Sequence, residues 1–416
     1  MILSIIIAMK KIILILLILN LLLGCSSKYV EGKTITPSVI NIENRVYVDE
    51  YEEYLDRYLN SFINDKTPLI PHYKDKDIYW VLESGNAKVE NNIIYKTDKS
   101  EEYEHISLRA YVGDTSYLFE NIELIDPYVG YLMTYFVGDG LKNEKVYYAW
   151  TYNGYLWFQV NKQKPVLSGS IGTKRMRDPS FIRRKNGMFT LVSTEGYDNP
   201  DIFAFDTSDF KNFTNERLIK VNSSSDNLKM SETQAWAPEG FYDRRKDKYV
   251  IYWSSPNDGK MFYNYTSDFE DVGYPNVLVD VGFPVIDGTI HKVDAEYSIV
   301  LKDERKPMET YSQLFVGYSD TDYTKLTNFD FNFFSNHQAE GPFIIQSGYE
   351  YLLYYDDYTR HQFKAYKTLD VKANKFTEVD DKEIISSIKS LKHGSAIPLT
   401  WKEFERIKAN YDTGEN

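Results

Sequence analysis

One short pattern recurs five times along this chain and constrains its fold more than any other feature. Arg177-Asp178-Pro179-Ser180-Phe181-Ile182, Pro238-Glu239-Gly240-Phe241-Tyr242, Ile286-Asp287-Gly288-Thr289-Ile290, Ala339-Glu340-Gly341-Pro342-Phe343-Ile344-Ile345 and Lys392-His393-Gly394-Ser395-Ala396-Ile397 share one plan. An ionisable residue is followed by Gly or Pro and then by a short apolar run. The ionisable positions 178, 239, 287, 340 and 393 lie 61, 48, 53 and 53 residues apart. A strand-rich repeat of this period is what a β-propeller produces, one blade per copy. The expected fold is therefore all-β, a five-bladed propeller. Its five ionisable residues start the innermost strands and crowd one end of a central channel.

Four copies are followed by the rest of a blade. After Ser180-Phe181-Ile182 come a turn at Lys185-Asn186-Gly187, a strand from Met188 to Ser193, a third strand Ile202-Phe203-Ala204-Phe205 and a polar edge. The fifth copy, at His393, comes too late to have one. Conversely, Tyr131 to Phe136, Val146 to Trp150 and Trp157 to Val160 read as outer strands with no inner strand before them. The two ends therefore share one blade and close the ring, which removes the free edges of an open circle. The propeller is expected over 127–400, with 401–416 as a surface tail.

The segment before it has its own punctuation. Lys10-Lys11 precede an apolar run from Ile12 to Leu23, too short to span a bilayer comfortably. The run ends Leu22-Leu23-Gly24-Cys25-Ser26-Ser27, which resembles the bacterial lipobox. That resemblance implies cleavage of residues 1–25 as a lipoprotein signal, lipid on Cys25, export, and anchoring to a membrane. Cys25 is the only cysteine, so no disulfide is expected. Residues 26–46 read as a polar tether. Over 47–126, Val48 to Ile63 carries apolar residues at helical spacing. Short alternating strands with turn clusters follow, resembling the small immunoglobulin-like spacer modules that precede secreted polysaccharide-degrading enzymes.

Composition narrows the partners. The 36 tyrosines and 23 phenylalanines favour strands, and a formal charge of -13 argues against nucleic acid. The acidic balance by itself selects no substrate; a carbohydrate partner is implied only by the family resemblance that the repeats carry, and the expected state is a monomer. Hydrolysing a glycosidic bond requires one carboxylic acid for the leaving oxygen and a second carboxylate for water or the sugar. A ring holding Asp178, Glu239, Asp287 and Glu340 supplies carboxylates on rigid strands.

Arg177-Asp178-Pro179, Trp236-Ala237-Pro238-Glu239, Ile286-Asp287-Gly288, Glu340-Gly341-Pro342 and the closing His393-Gly394-Ser395 resemble glycoside hydrolase family 43. This is a group of five-bladed propeller enzymes, mostly arabinofuranosidases, β-xylosidases and arabinanases. The resemblance implies an inverting glycosidase acting on α-L-arabinofuranosyl or β-D-xylosyl linkages of plant-type polysaccharides or oligosaccharides. Asp178 matches the general base, Glu340 the general acid and Asp287 the carboxylate that tunes and orients the acid. Glu239, Trp236, Arg360 and His393 are expected on the substrate side. No cofactor is required; the resemblance allows a structural calcium ion on the axis near His393. Two rivals stand beside this reading. One is a retaining fructosidase-like propeller, whose early Asn-Asp-Pro-Asn-Gly motif is absent here. The other is a non-catalytic glycan-binding propeller.

Overall fold

The structure, a computed structural model, describes residues 33–42, 45–360 and 362–414. The signal, with Cys25, and the first part of the tether lie outside them.

Five sheets stand around one axis, each led by one of the repeated segments. Blade I comprises Met176–Arg183, Phe189–Glu195, Asp201–Thr207 and Thr214–Lys220. Blade II comprises Trp236–Asp243, Lys248–Ser255, Lys260–Thr266 and Asn276–Val279. Blade III comprises Val285–Val293, Glu296–Asp303, Leu314–Ser319 and Asn328–Asp330. Blade IV comprises Ala339–Ser347, Glu350–Asp357, Gln362–Thr368 and Thr377–Glu378. Within each, neighbouring strands are consecutive and antiparallel, so every blade is a meander. Blade V takes its inner strand, Lys392–Thr400, from the end of the chain. It pairs antiparallel with Tyr128–Phe136, which Tyr147–Thr151 and Leu156–Gln159 follow outward. The ring closes as the sequence indicates.

Apolar runs on the second strands arise because both faces of a blade are covered. In blade II, Ile251 and Trp253 pack toward blade I with Ile182, Val192 and Ile202. The alternate residues Val250 and Tyr252 pack toward blade III with Ile299, Leu301 and Phe315. Blades III and IV join through Val300, Val316, Leu353 and Tyr355, and blades IV and V through Phe343, Tyr354, Met133 and Trp157. Strand periodicity of two thus serves two seams at once.

The N-terminal expectations need correction at three places. The helix runs only over Glu50–Tyr58, with Asp49 accepting from the amides of Tyr51 and Glu52 as its cap. Leu59 turns extended, and Phe62–Asn64 pairs parallel with Glu123–Ile125. The predicted last turn of helix is instead the strand that reaches the propeller, where Ser61 Oγ donates to the Tyr242 carbonyl at 2.6 Å. The tether is also partly built in: Lys33–Ile35 adds a parallel fifth strand to blade I, and Ser38 N donates to Val272 O. Third, the module is no loose spacer. Its five-stranded sheet buries one face under a two-stranded ribbon (Ala87–Glu90 with Ile93–Lys96) and the helix, rather than under a second full sheet. Buried Arg244 of blade II pairs with Asp56 at 2.8 Å, and Lys292 of blade III donates to Asn60 Oδ1 at 2.8 Å.

Residues beyond 400 are not a surface tail. Trp401–Asn410 is a helix opened by a capping box between Thr400 and Glu403. Phe404 and Ile407, 1% and 0% exposed, fill the seam of blades V and I beside Trp150 and Phe181. Glu403 is ion-paired with buried Arg183, and Tyr103 also donates to it. The apolar positions 401, 404, 407 and 411 have helical spacing, a signal short enough to pass for a tail. Phe404→Ala is expected to lower the free energy of unfolding by about 3 to 5 kcal/mol. Trp401→Ala, at a half-exposed position, costs under about 1 kcal/mol. Urea unfolding of the two variants checks this.

Candidate active site

Every inner strand breaks register at the same level. Arg177 pairs with Thr194 but Ser180 with Val192; Trp236 with Ser254 but Glu239 with Tyr252; Ile286 with Lys302 but Thr289 with Val300; Glu340 with Asp356 but Phe343 with Tyr354. Two residues therefore oppose one in each blade, a β-bulge that re-aims side chains out of the strand alternation. The first bulge residue has a left-handed backbone in all four: φ is 48° at Asp178, 49° at Ala237, 54° at Asp287 and 56° at Gly341. Aspartate tolerates this region better than most residues, and glycine freely. In blade V a single residue, His393, is left unpaired between Lys392 and Gly394.

This geometry revises the repeat as read from the sequence. Asp178 and Asp287 are equivalent bulge residues. Glu340 stands one position before its bulge, and Glu239 two positions after Ala237. The ionisable residues thus occupy different levels of the channel. Asp178, Asp287, Glu340 and His393 meet at one end. Glu239 lies deeper, accepting from Tyr252 OH and from Thr289 Oγ1 at 3.1 Å. It lines a cavity of about 400 Å³ whose floor is Leu59–Phe62 of the N-terminal module. That cavity lies on the far side of the bulges from the three acids, so its size has no bearing on their chemistry.

At the upper end, His393 Nδ1 is 3.6 Å from Asp178 Oδ1 and 3.7 Å from Asp287 Oδ2. Thr194 Oγ1 donates to Asp178 Oδ2 at 2.7 Å and accepts from Ala237 N at 2.8 Å. Ser254 Oγ accepts from Asp287 N at 2.9 Å, while Asp287 Oδ2 accepts from Gly341 N at 3.1 Å, next to Glu340. Lys302 Nζ donates to Glu340 Oε2 at 3.2 Å and is 3.0 Å from Glu304 Oε2. The Glu340 side chain keeps 25% of its surface open, against 5% for Asp287.

These surroundings separate the acids. Burial, aided by Glu340 and Asp178, raises the Asp287 carboxyl to about 6 against the opposing charges of His393 and Lys302. Burial raises Glu239 to about 7 despite hydrogen bonds from Tyr252 and Thr289. Glu340 goes the other way: burial works to raise it, but Lys302 and His393 outweigh burial and the carboxyl is lowered. Burial opposes a proton on His393, yet Asp178, Asp287, Glu340 and Glu239 together raise it. The site is an alternation of fixed charges of both signs.

The other expected residues are placed as follows. Trp236 occupies the position equivalent to Glu340 in blade II, half-buried against Tyr197 with ring centroids 4.7 Å apart. Arg360 lies in the turn beyond Asp356, 64% exposed and 3.7 Å from Asp357 Oδ2, and is not brought to the acids. Arg177 serves Glu144 and Asp139 at 2.7 and 2.8 Å. Among the described residues, no group of three or more His, Cys, Asp or Glu side chains is arranged to hold a metal ion. Sequence reasoning missed Thr194, Ser254, Lys302 and Asp356. Lys302 had a signal, a lysine directly following the apolar run Ile299-Val300-Leu301 within the strand Glu296–Asp303.

Residues 126–405 match the model of a family described as a probable glycosyl hydrolase domain, related to glycoside hydrolase family 43. The match covers most of the chain, and the protein belongs to this family. An α-L-arabinofuranosidase of Bifidobacterium longum subsp. longum is 25% identical over 220 residues, 44% of this chain and 20% of that protein. The chain thus spans about a fifth of that relative's length. A thermostable family-43 glycoside hydrolase is similar with a TM-score of 0.42 at 17% identity, over 53% of this chain and 76% of the other. An exo-β-1,3-galactanase of Phanerochaete chrysosporium scores 0.41 at 13% identity, over 51% of this chain and 53% of the other.

The electrostatics give a sign for stability. Glu239 has a folded value raised above its ordinary one, so its favourable contribution is complete below about 4.5 and is lost as pH rises through about 7. Glu239→Gln keeps an acceptor for Tyr252 and never ionises. Near pH 5 the variant is expected to match the parent in stability. Near pH 8 it gains roughly 1 to 3 kcal/mol, read from urea unfolding at both pH values.

Proposed function

We propose that this protein is an inverting glycoside hydrolase that removes α-L-arabinofuranosyl or β-D-xylosyl units from plant-type polysaccharides or their oligomers. The observation that carries the reading is the convergence of Asp178, Asp287, Glu340 and His393, from four blades, at one partly open end of the channel. Family membership supports the reaction class. The arabinofuranosidase likeness supports the choice of sugar.

In this reading Glu340 protonates the departing oxygen while Asp178 takes a proton from the attacking water. Thr194 holds Asp178 Oδ2 and leaves Oδ1, which is beyond hydrogen-bond length from His393, for that proton. Asp287 orients the acid through the Gly341 amide rather than by touching the Glu340 carboxyl. Trp236 and Tyr197 offer ring faces for a sugar beside the acids. The fixed rigid strands supply the pre-positioning that such chemistry needs. Lipid on Cys25 would hold the enzyme at a membrane, with the propeller docked on its own N-terminal module.

Glu340→Gln and Asp178→Asn are each expected to lower kcat/KM on aryl α-L-arabinofuranosides or β-D-xylosides by roughly a thousandfold or more, with melting within a few degrees of the parent. The anomer formed first, read by proton NMR, should be inverted. Retention, or parental turnover in either variant, contradicts the assignment. Cys25→Ser should move the protein from the membrane to the soluble fraction of its host, read by blotting.

A further inference from the structure

In each blade the residue opposite the pre-bulge position lies on the second strand and faces the next blade. In three blades it accepts a hydrogen bond from the next bulge: Thr194 from Ala237 N at 2.8 Å, Ser254 from Asp287 N at 2.9 Å, Asp356 from His393 N at 3.1 Å. Each joins its blade to the next at the level of the acids. In blade III the equivalent residue is Lys302, paired with Ile286. An ammonium has only donors, so it cannot serve the Gly341 amide in the same way. That amide goes to Asp287 Oδ2 instead, and Lys302 goes to the Glu340 carboxylate. Its side chain is 3% exposed, and a charge so buried is stable only with partners on its donors. A second partner is ready: Glu304 Oε2 is buried, 3.0 Å from the ammonium and otherwise without a hydrogen bond.

We propose that Lys302, shared between Glu304 and Glu340, is the positioning residue of the general acid: it holds the Glu340 carboxyl at the junction of blades III and IV and sets the upper pH limit of activity. The proposal rests on the hydrolase reading above. The charged groups facing Glu340 are Lys302, Glu304 and Asp287 from blade III, Asp356 from its own blade, Lys392 and His393 from blade V, and Asp178 of blade I through His393. Lysine and histidine favour the ionised carboxyl; the other acids favour the protonated one. An acid catalyst works only while protonated, so a cation beside it brings the alkaline limb of activity to lower pH. The lowered value of Glu340 has the same sign.

The test is the pH dependence of kcat/KM for aryl glycosides of good and poor leaving groups in the full chain. Lys302→Met should move the alkaline limb up by about one pH unit or more, most clearly with the poor leaving group, and Lys302→Arg should leave it within about 0.3 unit. Glu304→Gln, which removes the negative charge competing for Lys302, should move the limb down, and it keeps the proposal testable if Lys302→Met does not fold. A lysine with a structural role alone would lower melting temperature or turnover at every pH without moving the limb. An unmoved limb in both Lys302→Met and Glu304→Gln, with an active parent, overturns the role of Lys302 and leaves the hydrolase reading standing. A parent inactive on every aryl glycoside overturns both.

Discussion

Five sheets make a ring with no free inner edge only if the chain returns to its own beginning. It does so through the antiparallel pairing of Lys392–Thr400 with Tyr128–Phe136. The rest of the molecule depends on that junction. Without it blade V would lack an inner strand, and blades IV and I would each lose a wall of their aromatic seams. His393, which faces two of the acids, is itself on the closing strand. The helix Trp401–Asn410 secures the junction by filling the seam just beyond it and by giving buried Arg183 its counter-charge.

Ring closure brings the inner strands together, but the bulges decide what they present. A regular strand would alternate its side chains between the two seams and leave none aimed along the axis. Inserting one residue at a left-handed backbone, at Asp178 and Asp287, turns an acid out of that alternation. The strain of about 1 kcal/mol or more for each such residue is held by the paired strand segments on either side. The acids are then separated by electrostatic surroundings drawn from neighbouring blades. Asp287 is enclosed, while Glu340 faces an ammonium.

The N-terminal module takes part in this construction. Leu59–Phe62 lines the cavity beneath Glu239, and Arg244, Lys292 and Arg183 of the propeller all have partners in the module or the last helix.

Much of this was legible in the residues themselves. The repeat, the number of blades and the shared blade V follow from local patterning, because strand periodicity and turn residues act over a few positions. The same holds for the three acids, whose motifs are contiguous. What the chain order concealed was relative level. Glu239 looked like its counterparts at 178, 287 and 340, since a bulge shifts a residue along a strand without changing the string of letters. Lys302, Thr194, Ser254 and Asp356 carry no local mark of their partners, which lie one blade away. The short terminal helix and the strand Phe62–Asn64 likewise depend on surfaces supplied by distant segments. Sequence alone determined the repeated strands of the blades and how many blades they make, because those are short-range matters. The tertiary structure decided which charges meet, because only the closed ring brings residues hundreds of positions apart within a few ångströms.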